Sequence, residues 1–348
     1  MRTITEADWA RAVKIIDGAA EVCLACHVRP DADALGSMLA FAQALAGRAG
    51  GPSVIASFGD EPFAVPAILR FLPGTQLLAR PADYPSRPAV MVTFDAASAD
   101  RLGLLTGSAA AASELIVLDH HASNTGFGTV NLVDPAAAAT AVLAADLVER
   151  LGIPLTEDVA LGLYAGLVTD TGSFKYSATT PAVHELAARL LATGIDPGIV
   201  SRELYDRAPF GYLGMLAAAL SRAVLEPQAA SGHGLVWTTV TRADRASASL
   251  PLDATEPVID EVRRTDEAEV AVVLKEDDEG SWQVSVRSKS VVDVGRACQA
   301  LGGGGHARAA GFSYPGGYPG GADVAVAAGL GTGAELAVAA LRAELDRQ

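Results

Sequence analysis

Three short apolar runs in the first 120 residues each end in an acid or an imidazole. Val22 to Cys26 leads into His27, Asp31 and Asp33; Ala89 to Phe94 delivers Asp95; Leu115 to Leu118 delivers Asp119, His120 and His121. Runs of this length read as buried strands, and a helical pattern from Ala34 to Ala46 follows the first. Strands buried on both faces and alternating with helices make an α/β fold with a doubly wound, mainly parallel sheet. The carboxyl ends of such strands share one edge, where ligands bind. Three strand ends would thus gather their acids and imidazoles in one place.

A lone Asp before a helix is most simply a cap. Here His27, Asp31 and Asp33 share one loop, and Asp95 and His120 join them from neighbouring strand ends. Asp170 closes another apolar run, a helix over Glu157 to Val168, with Gly172 as an ordinary helix stop in the alternative reading. Four carboxylates packed together repel one another unless a cation lies between them. Four carboxylates and two imidazoles suit two divalent ions such as Mn²⁺ or Mg²⁺ with one carboxylate bridging. The set has no thiolate, which argues against structural zinc. Paired ions ready a water for phosphoester hydrolysis without a nucleophilic side chain. His121 is the spare imidazole, able to donate to a phosphate oxygen or protonate a leaving group. Asp119 either fixes a ligand's tautomer or makes ordinary strand-end hydrogen bonds.

The remaining pattern sets the domain plan. A helix opens the chain over Thr5 to Ala19, with Thr5 as cap and Asp8 three residues on. A strand follows at Ser53 to Ser57, a helix at Glu61 to Phe71 with Pro62 near its start, and a loop at Pro73 to Pro88. Further expectations are a strand at Asn131 to Asp134 and helices at Ala136 to Leu151 and Pro181 to Thr193. One or two connecting helices over Asp196 to Arg222 place a first domain at 1–195, a helical linker at 196–225 and a smaller α/β domain at 226–348. In the last, Gly234 to Val240, Glu269 to Leu274 and Trp282 to Val286 read as strands. Asp253 to Arg264 and Val292 to Leu301 read as helices, Gly316 to Gly321 as a loop, and Gly333 to Arg347 as a closing helix.

A second group of residues lies in this smaller domain. Arg287 and Ser288 end a strand, and Gly302 to Gly305 run into His306. Successive glycines let backbone N–H groups approach an anion, and Arg287 supplies a planar fork for phosphate. The alternative is a flexible loop between helix and strand. Phe174 and Tyr176 can stack on a base or pack in the core. His184 and His233 read as surface residues.

Charge limits the partners. With 26 Lys plus Arg against 41 Asp plus Glu, the chain carries a formal charge of −15. That disfavours a grip on long duplex nucleic acid, which needs a basic track, but not a short nucleotide held at one site. Cys23 to His27 matches the haem-attachment spacing, yet it sits in an apolar strand with no export signal before it. The three cysteines read as buried hydrophobes, and no run is long enough to span a membrane. A reduced, cytoplasmic setting is the expectation.

The motifs together, His27-x-x-Pro30-Asp31-x-Asp33, Asp95, Asp119-His120-His121 and Asp170, resemble those of the DHH phosphoesterase superfamily. Arg287-Ser288 and Gly303-Gly304-Gly305-His306 with Ala310-Gly311 resemble its DHH-associated domain. Ala32 stands where the family often has Gly. The likeness is greatest to the nanoRNase and pAp-phosphatase branch, which has cyclic-di-AMP phosphodiesterases among its relatives. It implies two Mn²⁺ ions, with Mg²⁺ or Co²⁺ as possible substitutes. His27, Asp31 and Asp95 would hold one, Asp33, Asp95, His120 and Asp170 the other, and Asp95 and His121 would serve catalysis. Arg287, Ser288, Gly304, Gly305 and His306 would bind substrate. The expected activity is hydrolysis of short oligoribonucleotides and removal of the 3′-phosphate of pAp, by a homodimer. The alternatives are cleavage of cyclic-di-AMP or its linear product and, in another class, a nucleotide sensor without turnover.

Overall fold

The computed structural model describes residues 4–315 and 333–347. The chain divides into two compact units, Met1–Arg207 and Ala208–Gln348. In the first, five strands form a wholly parallel sheet: β1 (Glu21–Cys26), β2 (Ser53–Phe58), β3 (Val90–Phe94), β4 (Glu114–Asp119) and β5 (Val130–Val133), in the order β2-β1-β3-β4-β5. The order reverses between β1 and β3, and a crevice opens at such a point beyond the strand ends.

Alternation along β1 shows how the sheet is covered. Val22, Leu24 and Cys26 point into one core, and Cys23 and Ala25 into the other. The larger core is roofed by α1 (Glu6–Asp17), α2 (Ala32–Ala46), then, beyond α3, α4 (Thr140–Arg150), α5 (Glu157–Asp170) and α6 (Pro181–Leu191). On the opposite face lie α3 (Thr106–Ala111) and the 3₁₀ segment Ala99–Leu105 before it. Thr5 and Asp8 form the expected reciprocal cap on α1. Cys23, Cys26 and Cys298 are free and buried, and burial pushes the thiols of Cys23 and Cys298 up to about 12. The haem spacing is thus a strand of small hydrophobes.

Two glycines bring α2 and α5 together backbone to backbone. A Cβ on Gly36 would lie 2.5 Å from the carbonyl oxygen of Gly162, and one on Gly162 would lie 2.7 Å from that of Gly36.

The helices expected over Asp196 to Arg222 are α7 (Pro197–Tyr205) and α8 (Gly211–Ser221). Val200 of α7 enters the core of the first unit, and Met215 and Ala219 of α8 enter that of the second. The second unit has a mixed six-stranded sheet. Its strands are β6 (Val224–Glu226), β7 (Leu235–Val240), β8 (Val270–Glu276), β9 (Trp282–Ser288), β10 (Gly304–His306) and β11 (Ala309–Tyr314), ordered β10-β11-β9-β8-β7-β6. Only β7 and β8 pair in parallel. Its helices are α8, α9 (Arg242–Ala248), α10 (Val258–Val262), α11 (Val294–Ala300) and α12 (Gly333–Leu345). No helix among the described residues is long and apolar enough to cross a membrane.

Three expectations need correction. Glu61 to Phe71 is not a helix, and only Ala67–Leu69 makes a 3₁₀ turn. Pro66 sits at its centre, where it offers no N–H and clashes with the preceding turn. Asp253 to Arg264 is broken in the same way at Pro257, between a 3₁₀ turn and α10. The helix expected from Ala136 starts at Thr140, because its first amides are bonded elsewhere, as described below. The short strand β6 was not foreseen. The Gly316 to Gly321 loop lies outside the described residues.

Gly162→Ala should destabilise the first unit by about 1 kcal/mol. Forcing a methyl group against a backbone costs about 1–3 kcal/mol, against a gain of about 1 kcal/mol in helix preference. Urea unfolding followed by circular dichroism checks this; an unchanged or raised midpoint would mean that the helices can part at no cost.

Candidate metal centre

The turn after β1 carries the first three groups. Arg29 adopts φ +52°, a left-handed conformation that turns the chain sharply into α2. His27 ends the strand. Asp31 caps α2, its Oδ1 accepting the Ala34 N–H at 2.9 Å, while its Oδ2 lies 3.8 Å from His27 Nε2. Asp33, in the first turn of α2, is fully buried.

Asp33 also explains the late start of α4. Ala139, which precedes that helix, offers no side-chain cap. The Thr140 and Ala141 N–H groups donate instead to Asp33 Oδ2 and Oδ1, at 2.6 and 2.9 Å. A carboxylate from α2 thus caps a helix more than a hundred residues away, where the helix dipole favours negative charge. Ser37 Oγ donates to the same carboxylate at 3.1 Å.

Asp95 stands in the middle. It follows β3 with φ +58°, is 3% exposed, and turns one oxygen to each imidazole. Oδ2 is 3.4 Å from His27 Nε2, and Oδ1 is 3.5 Å from His120 Nε2 and accepts the Thr140 hydroxyl at 2.9 Å. Asp170, the last residue of α5, brings Oδ2 to 3.0 Å from His120 Nε2. All six residues singled out from sequence therefore converge. Donor atoms lie mutually close in His27–Asp31–Asp95 and in Asp33–Asp95–His120, as they also do in Asp95–Asp119–His121. They share Asp95, and Asp170 joins the second through His120.

Burial and mutual charge set the protonation of the group. Burial raises the Asp33 carboxyl well above its ordinary range, and the charges of Asp170 and Asp95 add to this. Burial also lifts Asp170 to about 6, against the bond from His120. Burial would lower His27, but Asp31 and Asp95 outweigh it and bring the imidazole to about 10. His120 is raised for a similar reason, chiefly by Asp170. Desolvation disfavours ionised Asp95, yet His27, His121 and His120 hold it below the usual carboxylate range.

The imidazoles are oriented as metal ligands are. His27 Nδ1 lies 2.8 Å from the Val28 carbonyl oxygen and His120 Nδ1 3.2 Å from that of Ala137, so each Nδ1–H donates and each Nε2 faces the carboxylates. Oxygen donors, two such nitrogens and no thiolate fit a pair of hard or borderline divalent cations.

Beside this set, His121 Nδ1 donates to Asp119 Oδ1 at 2.7 Å, and Asn124 Nδ2 donates to Asp119 Oδ2 at 2.6 Å. The buried Asp119 is therefore the acceptor that fixes the His121 tautomer. It outweighs the burial that would lower that imidazole and raises it. Thr140, Asn124 and Gly166 were not anticipated. A Cβ on Gly166 would lie 2.7 Å from Asp33 Oδ1, so this glycine leaves the carboxylate its place. The pair Gly162 and Gly166, one turn apart in an apolar helix, was the available signal. Thr140 follows a run of alanines and gave none. Phe174 has φ +63° and stacks on the exposed His184 with ring centroids 5.1 Å apart.

In the second unit the last two glycines of the run, Gly304 and Gly305, lie in a strand rather than a flexible loop. Gly304 to His306 pair antiparallel with β11, and Gly305 takes φ +132°. The register sets His306 opposite Ala309, and Ala309 opposite Arg287. Directly paired residues project to one face, so Arg287 and His306 flank a small Ala across three strands. Ser288 Oγ donates to Glu269 Oε1 at 2.9 Å, and the Ser290 and Val291 N–H groups donate to the same oxygen at 2.6 and 2.7 Å. These bonds outweigh the desolvation that would raise the Glu269 carboxyl and lower it to about 2.

Two predictions follow from this geometry. Gly166→Ala should displace Asp33 and weaken the binding of a divalent cation about 10–100-fold, as measured by titration calorimetry. Equal affinity would show that Asp33 is not held by that glycine. Glu269, depressed from 4.5 to about 2 on folding, stabilises the second unit fully above pH 4.5 and loses that effect as the pH falls toward 2. Glu269→Gln should cost about 1–2 kcal/mol at pH 7 and nothing below pH 2, less than the full shift because water screens a half-exposed carboxylate. Denaturant midpoints across pH read this directly.

The profile of the DHH family, N-terminal domain, matches residues 21–167, and that of the DHHA1 domain matches residues 243–329. The "Bifunctional oligoribonuclease and PAP phosphatase NrnA" of Thermus thermophilus is 32% identical over 315 residues, 88% of this chain and 87% of its own. The "Probable bifunctional oligoribonuclease and PAP phosphatase NrnA" of Streptococcus mutans is 25% identical over 82% of this chain and 86% of its own. An exopolyphosphatase-related protein from Bacteroides fragilis, 22% identical, superposes with a TM-score of 0.83 over 100% of this chain and 98% of its own, which bears on the fold. With both domains matched in order and one relative this similar over most of both chains, the chain belongs to the DHH family, followed by a DHHA1 domain.

Proposed function

We propose that this protein is a metal-dependent hydrolase that cleaves short oligoribonucleotides and removes the 3′-phosphate of pAp. The observation that carries the reading is Asp95, buried at the sheet's reversal point with one oxygen turned to each of two imidazole–carboxylate groups. The names of the relatives supply the substrate class. Two Mn²⁺ ions, or Mg²⁺ or Co²⁺ in their place, are the cofactors we assign. When bound, such ions lower the pKa of water and draw charge from the phosphoryl oxygens.

The chain's own groups do the rest. Asp33 and Asp95 are fixed by the Thr140 and Ala141 donors before any substrate arrives. His121, with Nδ1 committed to Asp119, presents Nε2 as the proton donor to the leaving oxygen. In the second unit Arg287, Ser288, Gly304, Gly305 and His306 bind the nucleotide, with Ser288 and the chain after it anchored by Glu269. The domain plan of catalytic unit, helical linker and binding unit, the homodimer and the cytoplasmic setting belong to the same proposal. A charge of −15 favours small substrates over long nucleic acid.

Asp95→Ala should lower kcat by at least about a thousandfold, since several kcal/mol of metal-derived stabilisation go with it. Retained turnover and retained Mn²⁺ stoichiometry in that variant would sink the assignment. His306→Ala should raise KM about tenfold with a smaller change in kcat, the loss of one charge-assisted hydrogen bond. Rates on pAp, a dinucleotide, a pentanucleotide and cyclic-di-AMP test the substrate class. Preference for the cyclic compound would overturn it.

A further inference from the structure

The segment after Asp95 is locked onto the loop that carries His27. The Val28 N–H donates to the Arg101 carbonyl oxygen at 2.9 Å, and the Leu104 N–H donates to that of Gly59 at 3.1 Å. The fit is tight enough that a Cβ on Gly103, which has φ +56°, would lie 2.4 Å from Val28 Cγ1 and 2.6 Å from the Gly59 oxygen. This packing sets the half-buried Arg101 beside the candidate metal centre, with Nη2 3.4 Å from His27 Nδ1.

That contact does not satisfy the guanidinium. His27 Nδ1 lies nearer the Val28 carbonyl, at 2.8 Å, and its proton is committed there. Donor therefore faces donor. Among the described residues Arg101 has no carboxylate or carbonyl partner for its side chain. Arg29, in the same interlocked loops, is exposed and likewise has no acid partner among them; the Asp60 carboxylate binds its backbone N–H at 2.7 Å instead. In a chain with 41 acids to 26 bases, a guanidinium left uncommitted beside an acid-rich site is an anion receptor. The left-handed backbone at Arg29 is the strain expected where a loop is shaped for a ligand.

We infer that Arg101 receives the phosphate that is not cleaved: the 5′-phosphate of pAp or the terminal phosphate of a short oligonucleotide. The inference rests on the hydrolase reading above and deepens it. It makes the first unit selective for nucleotides bearing a second phosphate, through a residue that positions substrate and takes no part in the bond-breaking step.

The test uses the full-length protein loaded with Mn²⁺ and the variants Arg101→Gln and Arg101→Lys. Three quantities are measured: kcat and KM on pAp and on bis(p-nitrophenyl) phosphate, which has one phosphate; Mn²⁺ stoichiometry; and binding of AMP, which keeps the 5′-phosphate. Arg101→Gln should lower kcat/KM on pAp at least about tenfold, mainly through KM, and far more than on the single-phosphate ester. AMP binding should weaken to a similar degree, Mn²⁺ stoichiometry should hold, and Arg101→Lys should recover part of the loss. Equal losses on both esters, a lost metal ion, or AMP binding that is absent in the wild type or unchanged in the variants would overturn the inference. A wild type that binds AMP through Arg101 yet hydrolyses neither ester would sink only the hydrolase reading.

Discussion

The repulsion among four carboxylates gathered at one edge of a buried sheet is the constraint the first unit is built to meet. Taken out of water, each would prefer to be neutral, and the raised carboxyls of Asp33 and Asp170 show that preference. The protein answers with positive ends and donors at close range. The amides that open α4 hold Asp33, the Thr140 hydroxyl holds Asp95, and two imidazoles stand between the acids. The arrangement is costly as a scaffold and sensible as a receptor for positive charge.

Helix packing serves that arrangement. Gly36 and Gly162 let α2 and α5 approach until their backbones touch, and Gly166 continues the same face at the level of Asp33. Because α2 carries Asp31 and Asp33 while α5 carries Asp170, the distance between the two helices is also the distance between ligands. Small residues in an apolar helix therefore have a role in the site that their own chemistry does not suggest.

Much of the site was legible because strand ends are legible. Apolar runs that stop at Asp95 or at Asp119-His120-His121 mark both the strand and the edge where ligands gather, and the strand order then does the assembling. What escaped notice were partners that approach through space with no local pattern. Asn124 lies in an unremarkable loop, Arg101 in a 3₁₀ segment, and Thr140 behind alanines that look helical from Ala136 onward. Helix α4 could not be placed correctly from its own residues, since its cap belongs to α2. The errors at Glu61 to Phe71 and Asp253 to Arg264 were of another kind. There the apolar spacing was given more weight than a proline, Pro66 or Pro257, that the helix could not accommodate. The alternative of a flexible loop before His306 does not hold, because β11 approaches so closely that a side chain on Gly303 or Gly305 would collide with it.

Two helices begin on carboxylates that are also candidate ligands: α2 on Asp31 and α4 on Asp33. Opening either first turn and disturbing the cation cradle are therefore one event rather than two. The amides of Ala34, Thr140 and Ala141 are built-in reporters of that event, since their exchange with solvent deuterium should slow whenever the cradle is filled.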